Sequence, residues 1–402
     1  MNSRTVNSGA AGAGPAVSST VGAGMADSGA ADPGTAGAFD ADAAGPRTAD
    51  AASARTGAPY DTAPALTADR TVHRRLVHKR AVEQVLTTAV AKTGGRLLGT
   101  AQLPRLHRHY NDTCAPYYDL LLIGEAARQT VEAIVHELLG VPLDARFVIS
   151  DLGIALTGLD AVRTGPAPAD LHVELEPGRL RRRRDGSVRS LRGSAACRIG
   201  SREAARFTGT LLFLAGESYE DLRAGSATSP PADARTAPPR CHPSAVGRTD
   251  PRNVVIGGLR TERLEGGEKP GESETVADIV ADPQDPVFYD HALDHLPGML
   301  LMEAARQTAL AAWARTRAVP AGALLATACR ARFLAFAEQS ASVRCRARPT
   351  GTAVTGTVAV TVEQRGEPVA ELEITVESVP EADRPGREAR APTPTAPPGG
   401  AR

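Results

Sequence analysis

The chain has 402 residues, of which 42% are hydrophobic and only 3% aromatic, with 46 basic and 46 acidic side chains. Balanced charge argues against a nucleic-acid-binding protein, whose affinity depends on a basic surplus. Five scattered cysteines without a Cys-x-x-Cys pair argue against a disulfide framework or a structural zinc site. Because neither a membrane span nor a signal peptide is recognisable, the sequence predicts a cytoplasmic protein.

Composition divides the chain into two blocks. Residues 1–69 are mostly Ala, Gly, Ser, Pro, Thr and Asp; they cannot bury enough apolar surface to offset the chain entropy lost on ordering, and we predict disorder. Similar text predicts a linker over 216–249 and a second disordered tail over 380–402. Between them lie two predicted domains of similar size, 70–215 and 250–379.

The two blocks share a repeat. Glu-Ala-Ala-Arg-Gln-Thr occurs at 125–130 and again at 303–308. An apolar run precedes each copy, at 120–123 and 299–302. The alternative is coincidence between two Ala-rich helices, but the equivalent contexts favour duplicated domains.

Each copy of the repeat predicts a helix, because it is rich in Ala, Leu, Glu, Arg and Gln and has no Gly or Pro after its start. The first helix is expected to end near Leu139, where Gly140 and Pro142 follow. The second is expected to start at Pro297-Gly298.

After each helix the pattern changes to a period of two. This predicts strands at 170–175, 207–213, 357–362 and 371–376. Asp185-Gly186 is a turn signal in the first block, and 364–367 predicts a hairpin in the second. One apolar helix followed by several strands predicts an α+β fold in which an antiparallel sheet wraps around a central helix.

The start of the second helix carries a motif. Pro297-Gly298, Leu300-Leu301, Glu303 and Gln307 together are similar to the central helix of hotdog-fold 3-hydroxyacyl-carrier-protein dehydratases. More specifically, the chain resembles the A-factor biosynthesis hotdog family over about 72–215 and 245–378. Supporting residues lie at 77–79, 83–86, 102–105, 109–110, 140–143, 147 and 246–248.

The resemblance implies a double hotdog, with two tandem hotdog domains, and an acyltransferase of γ-butyrolactone signal biosynthesis without a cofactor. Such an enzyme joins a β-ketoacyl group, carried as a thioester on acyl carrier protein, to the primary hydroxyl of dihydroxyacetone phosphate. The product is a phosphorylated β-ketoacyl ester. The alternatives are a dehydratase or thioesterase on the same fold, or a catalytically silent acyl-ligand binding protein. The chain is expected to be a monomeric double hotdog or a homodimer.

The candidate catalytic residues lie on the two helices. Residues three and four apart share a helix face, so Glu303 and Arg306 point together, as do Glu125 and Arg128. We expect Glu303 to accept a proton from the attacking hydroxyl, with a pKa raised by burial. Arg306 would hold the substrate phosphate or an oxyanion. The alternative is a structural Glu–Arg bridge within each helix.

The polar face of the first helix is longer than this pair. It continues through Glu132 and His136.

Five further residues are candidates for substrate binding: His291, His295, Gln307, Gln129 and Gly298. Backbone N–H groups after Gly298 would polarise the thioester carbonyl. A metal site at the two histidines is an alternative by residue type, but the preceding residues predict a loop. The histidine of a dehydratase would lie two residues further from the glutamate than His291 lies from Glu303. The arginines at 181–184 predict a solvated hairpin face or a docking patch for acidic carrier protein.

Overall fold

The computed structural model describes residues 66–113, 115–226, 237–263, 273–350 and 356–384. The tails predicted to be disordered, 1–69 and 380–402, lie outside these residues apart from 66–69 and 380–384. No helix in the described ranges is both long and apolar enough to cross a membrane.

Among the described residues, the first half contains one long helix and six strands. They are β1 (Thr87–Thr93), β2 (Arg96–Leu103), α1 (Leu120–Glu137), β3 (Arg146–Leu156), β4 (Ala169–Arg182), β5 (Val188–Ile199) and β6 (Arg202–Leu214). The second half repeats this order after a short helix. Its elements are α2 (Gly216–Ser226), β7 (Ile256–Arg263), β8 (Ser273–Ile279), α3 (Gly298–Arg317), β9 (Leu324–Phe333), β10 (Val343–Thr350), β11 (Gly356–Gln364) and β12 (Glu367–Ser378).

All these strands form one antiparallel sheet across both halves. Its order is β1-β2-β4-β5-β6-β3 followed by β9-β12-β11-β10-β8-β7, so each half has the same connectivity. β3 and β9 join the halves, with Ile154 opposite Cys329. The predicted α+β double hotdog, with a duplicated helix and sheet, is confirmed.

The two long helices lie in the core of the molecule. α1 packs against strands of the first half and α3 against strands of the second. α3 is buried without interruption from Leu300 to Ala314, whereas a helix at the surface would bury only one stripe. The charged residues of both repeats therefore lie inside the protein, where charges need partners.

The predicted local features agree with the structure. α1 ends at Glu137 and α3 begins at Gly298, close to the predicted positions. β11 and β12 form the predicted hairpin, whose turn places Arg365 and Gly366 in the left-handed region. Gly186 has φ 85° in the predicted turn between β4 and β5. β5 was not predicted, and neither were β1–β3 and β7–β10.

The segment predicted as a linker, 216–249, is packed at both ends. Its first residues form α2, where Arg223 pairs with Asp294 at 2.8 Å and Glu338 at 2.7 Å. At its other end Arg248 is buried. The position of the domain boundary stays a prediction, but both ends of this segment belong to the folded body.

The Trp313 ring packs directly against Gly356 of β11. A Cβ atom on Gly356 would lie 1.9 Å from the Trp313 ring, and this buried indole has little room to move. We expect Gly356→Ala to lower the free energy of unfolding by about 1–3 kcal/mol through overpacking. Denaturant unfolding measures this, with Gly165→Ala as the control because nothing lies within 4 Å of that position. Equal stability of the two variants would contradict the prediction.

Candidate active site

Glu303 is the centre of a buried ion-pair cluster. The Arg306 guanidinium donates to both carboxylate oxygens, at 2.8 and 2.7 Å. Arg248 donates to Oε1 at 2.8 Å, and Gln307 also donates to Oε1. The His109 ring, from the first half, has Nε2 3.5 Å from the same oxygen. The structure therefore brings together the predicted Glu303, Arg306 and Gln307 with two residues to which the sequence assigned no role.

Arg248 also holds the two halves together. Its Nη1 donates to the carbonyl oxygens of His109 at 2.9 Å and of Tyr110 and Asp112 at 3.3 Å. The Asp112 carboxylate in turn accepts hydrogen bonds from the backbone N–H groups of Thr249 and Asp250. The loop before α1 is thus fixed beside the helix of the other half.

The predicted pKa of Glu303 is wrong in direction. Burial acts to raise the pKa, but the charges of Arg248 and Arg306 outweigh it and hold the pKa well below its usual range. Helical spacing predicts Arg306 beside Glu303 but not Arg248, which lies 55 residues away in the sequence. The catalytic role of Glu303 stays a prediction, but the carboxylate is ionised and surrounded by donors.

Glu125 repeats this geometry in the first half. Arg128 donates to both carboxylate oxygens at 2.8 Å. Lys79 Nζ lies 3.1 Å from Oε1, and Gln129 donates to Oε1 at 2.9 Å. Burial acts to raise the pKa of Glu125, but the charges of Arg128 and Lys79 outweigh burial and hold the pKa below its usual range. Lys79 corresponds to Arg248 in the duplication.

Gln129 and Gln307 each bind the backbone just before the first strand of their half. Gln129 accepts from Leu86 N at 2.8 Å and donates to Gln84 O at 2.9 Å. The Gln307 amide bonds in the same way to Val255 N and Asn253 O. Substrate binding by Gln129 and Gln307 stays a prediction, and both ends of each amide already have protein partners.

Glu132 distinguishes the two helices. It lies one turn beyond Arg128 and is buried, and the equivalent residue in α3 is Leu310. Its Oε1 accepts a hydrogen bond from Arg128, whereas Oε2 has no hydrogen-bond partner among the described residues. Burial raises the pKa of Glu132 to about 7. The first half therefore holds a carboxyl group that titrates near neutral pH.

A histidine pair lies at the end of the same helix. His136 Nδ1 donates to the Val141 carbonyl at 2.8 Å, and its Nε2 is 2.9 Å from Nε2 of His78. Burial lowers the pKa of both rings, that of His78 to about 3. Since both rings are neutral and His136 uses Nδ1–H as a donor, His78 is the donor between them.

The charge balance also differs between the clusters. At Glu303, the Asp119 carboxylate lies 3.8 Å from Arg248 and 3.9 Å from Arg306, so two cations face two carboxylates. Asp119 is the N-cap of α1, and the N-cap of α3 is Pro297, which has no charge. The cluster of Lys79, Arg128 and Glu125 therefore has an excess of positive charge whenever Glu132 is protonated.

Access also differs between the two clusters. The side chains of Lys79 and Arg128 are 10% and 15% exposed, whereas those of Arg248 and Arg306 are 0% and 4% exposed. Arg128 borders a cleft of about 380 Å³ between α1 and the sheet, with a mostly apolar lining that includes Leu175. Arg306 borders another, of about 530 Å³, beside Asp119.

His291 lies on a loop that contacts the first half. The carboxylate of its neighbour Asp290 accepts hydrogen bonds from the backbone N–H groups of Arg80 and Ala81. Burial lowers the pKa of His291, Asp290 opposes this, and the charge of Lys79 adds to it. The loop is thus fixed against the segment that carries Lys79. The sequence separation of His291 from Glu303 therefore does not indicate which residues His291 lies near.

His295 and Gly298 lie near the start of α3. His295 Nδ1 is 2.6 Å from Asp294, which is also held by Arg223 of α2. Gly298 is the first residue of α3, and a Cβ there would lie 3.2 Å from Phe333. Substrate binding by these residues stays a prediction. Among the described residues, no group of three or more His, Cys, Asp or Glu side chains could hold a metal ion.

No role was predicted for Lys79, Arg248, His109 or Asp119. The sequence did contain a signal for Lys79 and Arg248. Val77-His78-Lys79 and Val246-Gly247-Arg248 precede the first strands of the two halves at equivalent positions. A basic residue at the end of both triplets is the pattern that could have identified the second cation of each cluster.

Comparisons of the chain with a family model and with curated proteins agree on one family. The A-factor biosynthesis hotdog domain matches residues 60–215 and 230–380. A 2-oxo-3-(phosphooxy)propyl 3-oxoalkanoate synthase from Streptomyces virginiae is 31% identical over 71% of this chain and 90% of its own length. A protein of the same name from Streptomyces coelicolor is 30% identical over 69% and 82%. A solved hot dog fold protein of unknown function from Alicyclobacillus acidocaldarius is 14% identical, with a TM-score of 0.41 over 72% of this chain and 95% of its own.

Proposed function

The chain belongs to the A-factor biosynthesis hotdog family, and on that premise we propose that it is an acyltransferase of γ-butyrolactone signal biosynthesis. It joins a β-ketoacyl thioester to the hydroxyl group of dihydroxyacetone phosphate, giving the ester after which its Streptomyces relatives are named. The observation that carries this proposal is the cluster of Glu125, Arg128 and Lys79 beside an apolar cleft.

The two cations of this cluster suit a phosphate group. A phosphate monoester has close to two negative charges at neutral pH and accepts charge-assisted hydrogen bonds from Arg and Lys. Lys79 and Arg128 are the two cations at Glu125. Arg146 and His291 also lie on this side of the molecule, close enough to help lower the pKa of His78. We assign the phosphate to this side of the molecule.

The apolar cleft suits the acyl chain. It extends from Arg128 past Val131 to Leu175, Leu191 and Phe207. Removing a hydrocarbon chain from water contributes about 0.8 kcal/mol per buried methylene. With the chain in this cleft, the thioester carbonyl lies at the Arg128 end, where the guanidinium can stabilise an oxyanion.

The reaction itself needs no oxidant or reductant. The hydroxyl oxygen attacks the carbonyl carbon, the new C–O bond forms, and the C–S bond breaks to release the thiol. Arg128 is held rigid by Glu125, so its position is fixed before substrate binds. In this proposal Glu303 and Arg306 maintain the contact between the halves.

Acyl carrier protein is the proposed donor of the acyl group. The arginines at 181–184 are exposed at the hairpin between β4 and β5. Arg183 is partly used internally, since it donates to the Val188 and Phe213 carbonyls. Arg182 donates to the Gly186 carbonyl, and all four arginines are exposed and can attract an acidic partner.

An assay of the purified full chain tests the proposal. The protein is incubated with a β-ketoacyl thioester of acyl carrier protein and dihydroxyacetone phosphate, and products are identified by mass spectrometry. We expect a phosphorylated β-ketoacyl ester that requires both substrates. Arg128→Met should lower its rate by about 100-fold or more, since a lost oxyanion donor costs that much. Free β-keto acid as the only product would indicate a thioesterase, and binding without turnover would indicate a silent acyl-binding protein.

A further inference from the structure

We propose that Glu132, through its Oε2 atom, accepts the proton from the attacking hydroxyl group in the cluster of Glu125, Arg128 and Lys79. The inference rests on the proposed acyl transfer and adds a catalytic residue to it. Neither the repeat nor the family comparison points to Glu132, because it lies outside the duplicated six residues.

The hydrogen bonds of the three buried glutamates support this choice. Glu125 and Glu303 each receive hydrogen bonds or ion pairs from two cations and a glutamine amide. Glu132 is 2% exposed, and its Oε2 has no hydrogen-bond partner in the described part of the chain. A buried polar atom without a partner is costly. A substrate hydroxyl would supply the missing hydrogen bond.

The electrostatic surroundings keep this carboxyl group near its titration point. Burial raises its pKa to about 7, with Glu125 adding to the rise and Arg128 and Lys79 opposing it. A general base is most effective when its pKa lies near the working pH. The pKa values of Glu125 and Glu303 are lowered instead, which makes both poor proton acceptors.

The position of Glu132 on α1 places it with the other groups. One helical turn separates it from Arg128, whose Nη1 donates to Glu132 Oε1. The same guanidinium holds Glu125 and borders the apolar cleft. A thioester carbonyl held by Arg128 would therefore share this guanidinium with Glu132. In α3 the equivalent Leu310 cannot accept a proton, so the inference applies to the first half alone.

The proton balance is complete within the site. The hydroxyl proton moves to Glu132 as the oxygen attacks the thioester carbon. When the tetrahedral intermediate collapses, the C–S bond breaks and the thiolate takes the proton from Glu132. The carboxylate is then regenerated, and an ester and a thiol leave.

Glu132→Gln tests the proposal, because glutamine keeps the size and an oxygen for Arg128 but not the basicity. We expect ester formation at saturating substrate to fall by about 10²–10⁴-fold. Calorimetric affinity for dihydroxyacetone phosphate should be kept or rise, because the variant removes a negative charge beside Arg128. The wild-type rate should rise with pH to a plateau above about 7, and this dependence should be absent in the variant. Glu137→Gln, an exposed carboxylate on the same helix, is the matched control.

The outcomes separate the two proposals. Absence of ester with wild-type protein would overturn the proposed function and this inference with it. Ester formation by Glu132→Gln within threefold of wild type, or with the same pH dependence, would overturn the role of Glu132 alone. If that variant does not fold, Glu132→Asp decides: its shorter carboxylate should slow the reaction at least tenfold, and an unchanged rate and pH midpoint would refute the proposal.

Discussion

Arg248→Ala should lower the free energy of unfolding by about 3–5 kcal/mol, since it breaks a buried ion pair by removing one partner. The side chain is fully buried, and it neutralises Glu303 and binds carbonyl oxygens of the opposite half. Urea unfolding at neutral pH measures the loss. Lys79→Ala is the matched comparison, because Lys79 has the equivalent position but is partly exposed.

The comparison isolates the role of the buried pair. We expect Lys79→Ala to cost less stability than Arg248→Ala, because the Lys79 side chain keeps some contact with water, while it weakens binding of dihydroxyacetone phosphate. Similar losses for Arg248→Ala and Lys79→Ala would show that the two clusters are not specialised in the way we infer.

Glu132→Gln should remove a loss of stability that the wild-type protein undergoes as the pH rises. The pKa of Glu132 is about 7 in the folded protein against 4.5 as its ordinary value. The folded state therefore binds the proton more tightly, and the wild-type chain loses stability as the pH rises from about 4.5 through 7. From a shift of this size the loss is on the order of 3 kcal/mol.

Glutamine has no proton to lose, so its contribution stays constant over this range. The stability of Glu132→Gln minus that of wild type should therefore grow between pH 4.5 and 8, whatever fixed cost the lost charge adds through Arg128. Denaturant unfolding at several pH values gives this difference. A difference that does not vary with pH would contradict the prediction.

The duplicated helix carried most of what could be predicted. Its repeat identified two copies of one domain, and helical spacing brought Glu303 to Arg306 and Glu125 to Arg128. These contacts are local, so the sequence pattern contains them. Arg248 and His109 approach Glu303 across the junction of the halves. These contacts depend on how the two halves of the sheet join, and no local sequence pattern contains that information.

The pKa of Glu303 shows why burial alone is an insufficient guide. Desolvation and nearby charge act in opposite directions on a carboxylate, and the number of cations decides which is larger. Glu303 has two in close contact, whereas Glu132 contacts Arg128 through one oxygen only. Both side chains are buried glutamates on equivalent helices, yet their pKa values are shifted in opposite directions.

The hydrogen-bonded junction of β3 and β9 has a consequence for how such a protein can change. In an assembly of two identical subunits, every mutation occurs twice and both sites change together. Here a single polypeptide supplies both halves of the sheet, so a substitution in one helix leaves the other untouched. Glu132 and Leu310 can therefore coexist at equivalent positions, one beside each ion-pair cluster. Covalent fusion allows one cluster to be kept for cohesion while the other is free to acquire chemistry.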